Sequence, residues 1–111
     1  MAFLEFEGKQ VYYEIHGEGE PLMILNGIMM STASWKAFIP DFSRHNTVIL
    51  VDFLDQGQSS RMTEPYTHAI QVRLLAALVD ALPFERVSVM GISYGGEVAI
   101  QFAIHHPEKV K

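Results

Sequence analysis

A twelve-residue stretch, Val87-Ser88-Val89-Met90-Gly91-Ile92-Ser93-Tyr94-Gly95-Gly96-Glu97-Val98, restricts the fold more than any other part of the chain. A β-branched, apolar run ends at Gly91 and a helical pattern starts at Tyr94, so a strand must turn directly into a helix. A serine sits in that turn inside Gly-x-Ser-x-Gly. The bend strains the serine's backbone and crowds its surroundings, which is why residues without side chains stand two before it, at Gly91, and two after it, at Gly95. The bare pattern arises by chance in roughly one chain in thirty of this size. Its position between a strand and a helix therefore carries the signal. Two readings remain at this point: Ser93 is an exposed nucleophile, or it only caps the helix.

Composition narrows the class. The chain has 111 residues, 49% hydrophobic and 19% charged, which suits one globular α/β unit. Its formal charge of −5 provides no basic stripe for nucleic acid. It has no cysteine, which excludes disulfides, thiolate catalysis and cysteine-held zinc. The start, Met1 to Glu7, is acidic where a signal peptide would be basic and then apolar, and no apolar run is long enough to span a membrane. A cytoplasmic protein without membrane contact is expected.

Along the chain, Phe3–Phe6 and Gln10–His16 alternate at period two and predict an antiparallel hairpin turning at Gly8-Lys9. Leu22–Leu25 and Thr47–Val51 are continuous apolar runs, as expected of strands covered on both faces. A helix is predicted from Ser34-Trp35 to about Pro40. A second runs from Thr67 to Leu82, with Ile70, Leu74, Leu75, Leu78, Val79 and Leu82 on one apolar stripe. Arg86–Met90 is the last strand, and its helix continues to about His105 before Pro107. A hairpin followed by alternating strands and helices predicts an α/β sheet that becomes parallel.

Four stretches in this order resemble the first part of the α/β-hydrolase superfamily: Tyr12–Gly19, Leu25-Asn26-Gly27, Asp52…Gly57-Gln58-Ser59 and Gly91–Gly96. The resemblance covers nearly the whole chain and favours the nucleophile reading of Ser93. It implies a serine hydrolase acting on a small ester, lactone or thioester. The backbone N–H groups of Ile28 and Tyr94 would hold the oxyanion, and no cofactor or metal would be needed. Asn26, Met29 and Trp35 are candidate pocket residues, with core filling as the competing reading for Ile28, Met29, Met30 and Trp35. There are departures too. Asn26 stands where the family commonly has histidine. In the loop Asp-x-Arg-Gly-His-Gly-x-Ser, Leu54, Asp55 and Gln56 replace Arg, Gly and His. Asp55 tolerates the left-handed backbone that glycine would adopt there.

The family supplies its acid and histidine after later strands, and only eighteen residues follow Ser93. His16, His45, His68, His105 and His106 are expected to be non-catalytic. The sequence is thus expected to be one partial domain, residues 1–111, truncated after the helix that follows Ser93 and inactive alone. An open strand edge should make it pair with itself or with its C-terminal portion. A non-catalytic binding or regulatory protein, or an inert fragment, on the same scaffold is the alternative. Within enzymes, cofactor-independent haloperoxidase-like members share the serine bend.

Overall fold

A computed structural model describes residues 2–111. β1 (Ala2–Phe6) and β2 (Lys9–His16) form the expected hairpin. The turn falls one residue earlier than predicted, at Glu7-Gly8, where φ is 48° and 77°. Two positive φ values in a two-residue loop match the right-handed twist of the strands they join.

β3 (Glu20–Leu25), β4 (Asn46–Val51) and β5 (Ser88–Gly91) complete a five-stranded sheet in the order β1-β2-β4-β3-β5. β2 runs antiparallel to β4, whereas β3 is parallel to both β4 and β5. This is the expected α/β sheet that becomes parallel. The register sets Leu25 beside Val51 on one side and beside Gly91 on the other. Three strands therefore end side by side, and the loops that leave them share one edge of the sheet, where ligands of open α/β sheets collect.

Strand alternation sends successive side chains to opposite faces. Met23, Leu25, Ile49 and Val51 pack with Leu74, Leu75 and Leu78 of α2 (His68–Ala81) and with Val98 and Phe102 of α3 (Tyr94–His105). Ile24, Val48 and Leu50 meet Trp35 on the other face. Val48 to Val51 are each fully buried, and complete burial of such a side chain contributes about 1.5–3 kcal/mol. Covering both faces explains why these strands read as unbroken apolar runs.

Some boundaries differ from expectation. The helix predicted over Ser34–Pro40 is two short pieces: a 3₁₀ turn, Thr32–Trp35, and α1 (Ile39–Phe42). Pro40 opens α1 and does not stop a helix, because proline's missing N–H costs nothing in a first turn. Ser31 and Ser34 form a reciprocal capping box on the 3₁₀ turn. The last strand starts at Ser88, two residues later than predicted, while Val87 makes one parallel bridge to Val110. No helix among the described residues is long and apolar enough to cross a membrane.

Candidate active site

Ser93 sits at φ 53°, ψ −113°, a conformation an L-residue adopts only under strain. Its side chain is exposed and makes no capping bond to α3. The capping explanation for this serine is thus removed, since nothing is gained locally in return for the strain.

The flanking glycines are steric requirements. A Cβ on Gly91 would lie 2.4 Å from the Gly95 carbonyl oxygen, and one on Gly95 would lie 2.4 Å from the Leu25 oxygen and 2.7 Å from that of Asn26. Gly95 is therefore needed less by the serine bend itself than by the approach of α3 to the end of β3. The Ile92 N–H donates to the Leu25 carbonyl at 3.2 Å, which ties the loop after β5 to the loop after β3.

That second loop folds as a tight turn, closed by Met30 N–H to the Gly27 carbonyl at 3.2 Å. Met29 occupies its third position at φ 69°, where glycine or asparagine is usual. The turn leaves the Ile28 N–H without an acceptor among the described residues, and the first amide of α3, at Tyr94, is equally free. Unused donors of this kind at a helix start favour negative charge. Ile28, Met29 and Tyr94 all line one cleft of about 710 Å³; Ser93 is not itself in the lining and adjoins it through Tyr94. Ile28 and Met29 are 69% and 95% exposed, so these side chains are not core filling.

Asn26 is not a pocket residue, and Trp35 follows its core-filling reading. Both are buried, and neither lines the cleft. Trp35 Nε1 donates to Asn26 Oδ1 at 2.7 Å, and Asn26 Nδ2 donates to the Val51 carbonyl at 2.9 Å and to Gln56 Oε1 at 3.1 Å. Gln56 Nε2 then donates to the Gly27 carbonyl at 3.1 Å. Two amides stand where the family has two histidines, and they bond to each other. Their work is to shape the loop that carries Ile28.

Asp52 is the second organiser, and it was legible only as part of a motif. It is fully buried, and its Oδ1 and Oδ2 accept the N–H groups of Thr32 at 2.7 Å and Gln58 at 2.9 Å. It thereby joins the loops after β3 and β4. Asp52→Ala should leave two inward-facing N–H groups unpaired and lower stability by about 3 kcal/mol, as read by chemical denaturation. A loss under 1 kcal/mol would mean that the loops hold each other without it.

Residues 53–66 add a polar side to the cleft. Asp55 has φ 74°, as expected for the position of the family's glycine. Its carboxyl accepts the Met62 N–H at 2.7 Å and the Tyr66 hydroxyl, and Tyr66 also lines the cleft. The Tyr66 hydrogen bond holds the Asp55 carboxyl below its usual range. Burial, then Asp55 itself, pushes the Tyr66 phenol up, and burial raises Tyr94 as well. Buried Gln71 brackets the backbone of Leu54, accepting its N–H at 3.2 Å and donating to its carbonyl at 3.3 Å. The helical stripe read from the sequence contained no polar member, so this anchor was missed.

A sequence model of the alpha/beta hydrolase fold matches residues 20–111. The chain belongs to the α/β-hydrolase family. Its fold superposes on MGS-M2, an alpha/beta hydrolase enzyme from a Medee basin deep-sea metagenome library, with a TM-score of 0.96 and 43% identity, covering 99% of this chain and 42% of that one. It also superposes on Est816, described as an N-acyl homoserine lactone degrading enzyme, with a TM-score of 0.92 and 29% identity, covering 98% and 42%. A 2-hydroxymuconate semialdehyde hydrolase of Pseudomonas sp. (strain CF600) is 33% identical over 99 residues, 86% of this chain and 35% of that protein. This α/β-hydrolase chain thus spans well under half the length of the relatives it matches.

Among the described residues of this α/β-hydrolase chain, no histidine is paired with Ser93. His16 bonds to Glu14, His68 packs on Tyr94 and faces Glu97, and His106 faces Glu108. His45 and His105 are exposed.

Proposed function

We propose that the whole protein is a serine hydrolase acting on a small carboxylic ester, lactone or thioester. The observation that carries this reading is Ser93, strained, exposed and uncapped, next in the chain to Tyr94, which with Ile28 lines one cleft and keeps an acceptor-free amide. Ser93 Oγ adds to the substrate carbonyl, and the carbonyl oxygen takes the charge between the Ile28 and Tyr94 N–H groups. One such donor contributes about 3–4 kcal/mol to the transition state. The alcohol or thiol then leaves, and water releases the acid from the acyl-enzyme. The histidine that moves the protons, and the carboxylate that orients it, come from sequence outside these 111 residues. The lactone-degrading activity named for Est816 supports the reaction class, and the hydrolase named from Pseudomonas supports hydrolysis in the broad sense. The test is labelling of the intact protein by a fluorophosphonate, with the adduct mapped to the Ser93 peptide by mass spectrometry. An intact, folded protein that takes no label would be a binding protein on this scaffold.

We further propose that the 111-residue chain alone pairs with itself or with the rest of its domain. β5 is the last strand of the sheet, with only the Val87–Val110 bridge beyond it, and Ile100 and Ile104 of α3 are 62% and 64% exposed. An unpaired edge beside an apolar helix face is a template for association. Light scattering of the isolated chain should give a mass above the monomer. A clean monomer that melts cooperatively would count against it.

A further inference from the structure

The charge of the cleft is set by one side chain. Asp55 is the sole charged residue among the described residues that line it, and its neighbours there include Ile28, Met29, Leu54 and Tyr94. Asp55 stands where the family's loop has glycine, and its φ of 74° shows that the backbone has kept glycine's shape while acquiring a carboxyl group. Leu54, at the position of the family's arginine, is buried and brings no cation to replace it. Arg61, whose charge acts on Asp55 more weakly than the hydrogen bond from Tyr66, donates to the Gly57 carbonyl at 2.9 Å and the Ser59 carbonyl at 3.2 Å and does not line the cleft. This segment therefore presents an anion where the family pattern would offer a cation and a bare backbone.

We propose that Asp55 is a specificity-determining residue, which disfavours carbonyl substrates carrying an anionic group and favours neutral or ammonium-bearing ones. The proposal rests on the hydrolase reading of the same cleft. Geometry supports it twice over. The carboxyl group is pinned by two donors, the Met62 N–H and the Tyr66 hydroxyl, so its direction is set before substrate arrives. Those same bonds favour the ionised form, so the charge is present at neutral pH. Asp55, Ile28 and Tyr94 line the same cleft, and a unit charge acting across it, partly screened by water, changes relative rates by up to about tenfold.

The experiment uses the full-length enzyme and three rigid p-nitrophenyl benzoates that differ only in the 4-substituent: methyl, carboxylate or aminomethyl. Asp55→Asn keeps a hydrogen-bond acceptor and tolerates the left-handed backbone, and Asp55→Gly restores the residue for which that backbone is ordinary. In both variants the kcat/KM of the carboxylate ester should rise about tenfold relative to the methyl ester, and that of the aminomethyl ester should fall by a similar factor. Added salt should shrink the wild-type preference towards that of the variants. Ratios that match wild type in both variants, with Ser93 still taking the fluorophosphonate, would overturn the charge filter and leave the hydrolase reading standing. No turnover of any ester and no label on Ser93 would overturn both.

Discussion

Ser93→Ala in the full-length enzyme is expected to abolish fluorophosphonate labelling and to lower kcat by about 10³-fold or more. The residual rate would come from the cleft and its amide pair, which the substitution leaves in place. Melting should distinguish a chemical loss from a structural one. Ser93 makes no capping bond, so alanine removes no interaction that α3 depends on. Ser93→Gly should go further and raise the melting temperature, because glycine relieves the strain held at φ 53°, a cost of order 1–3 kcal/mol. A variant that is more stable yet inert is the signature of strain retained for chemistry. If Ser93→Ala turned over substrate like wild type, the nucleophile would have to be sought elsewhere in the whole protein.

Two neighbouring glycines should respond in opposite directions. Gly95→Ala places a methyl group 2.4 Å from the Leu25 oxygen and 2.7 Å from that of Asn26. Both are backbone atoms in the loop root that also carries Ile28, so neither can swing away. The helix must retreat from β3, with a loss of about 3 kcal/mol or more. Activity should fall beyond what folding explains, because the retreat separates the Tyr94 amide from the Ile28 amide. Gly96→Ala meets nothing closer than 3.5 Å and lies inside the first turn of the same helix. It should stabilise by about 0.5–1 kcal/mol, the ordinary gain of alanine over glycine in a helix. Denaturation of the two variants side by side decides the matter. Equal stability would mean that α3 does not rest on the end of β3 in the way described.

Much of this organisation could be read in advance, for reasons that differ from element to element. The continuous apolar runs at Leu22–Leu25 and Thr47–Val51 announced strands covered on both faces, and Met23 to Leu25 and Val48 to Val51 are fully buried. Thr67 and Pro83 bracketed α2 to within a residue. The segment between Gly27 and Arg44 was harder. Its helices are single turns, too short for a 3.6-residue period to show, and Pro40 was read as a stop when it is a start. Trp35 was open between pocket and core, because an indole between two short turns gives no local sign of which way it faces, and it lies in the core. The buried Asn26 oxygen, nine residues away, and the apolar side chains Ile24, Val48 and Leu50 together set its direction.

From the chain alone came the strained serine, the glycines around it, a sheet that turns parallel after its hairpin and Asp55's left-handed backbone, because each depends on a residue's own conformational limits and its nearest neighbours or on the alternation of strands and helices. Folding in three dimensions decided the remainder. It joined Asn26 to Gln56 across thirty positions, turned Asp52 into the clasp between two loops, brought Tyr66 onto Asp55, and left the Ile28 and Tyr94 amides free at one cleft. Those are meetings between groups far apart in the chain. Their partners are selected by the register of β3 against its two neighbours, and no spacing along the sequence encodes that.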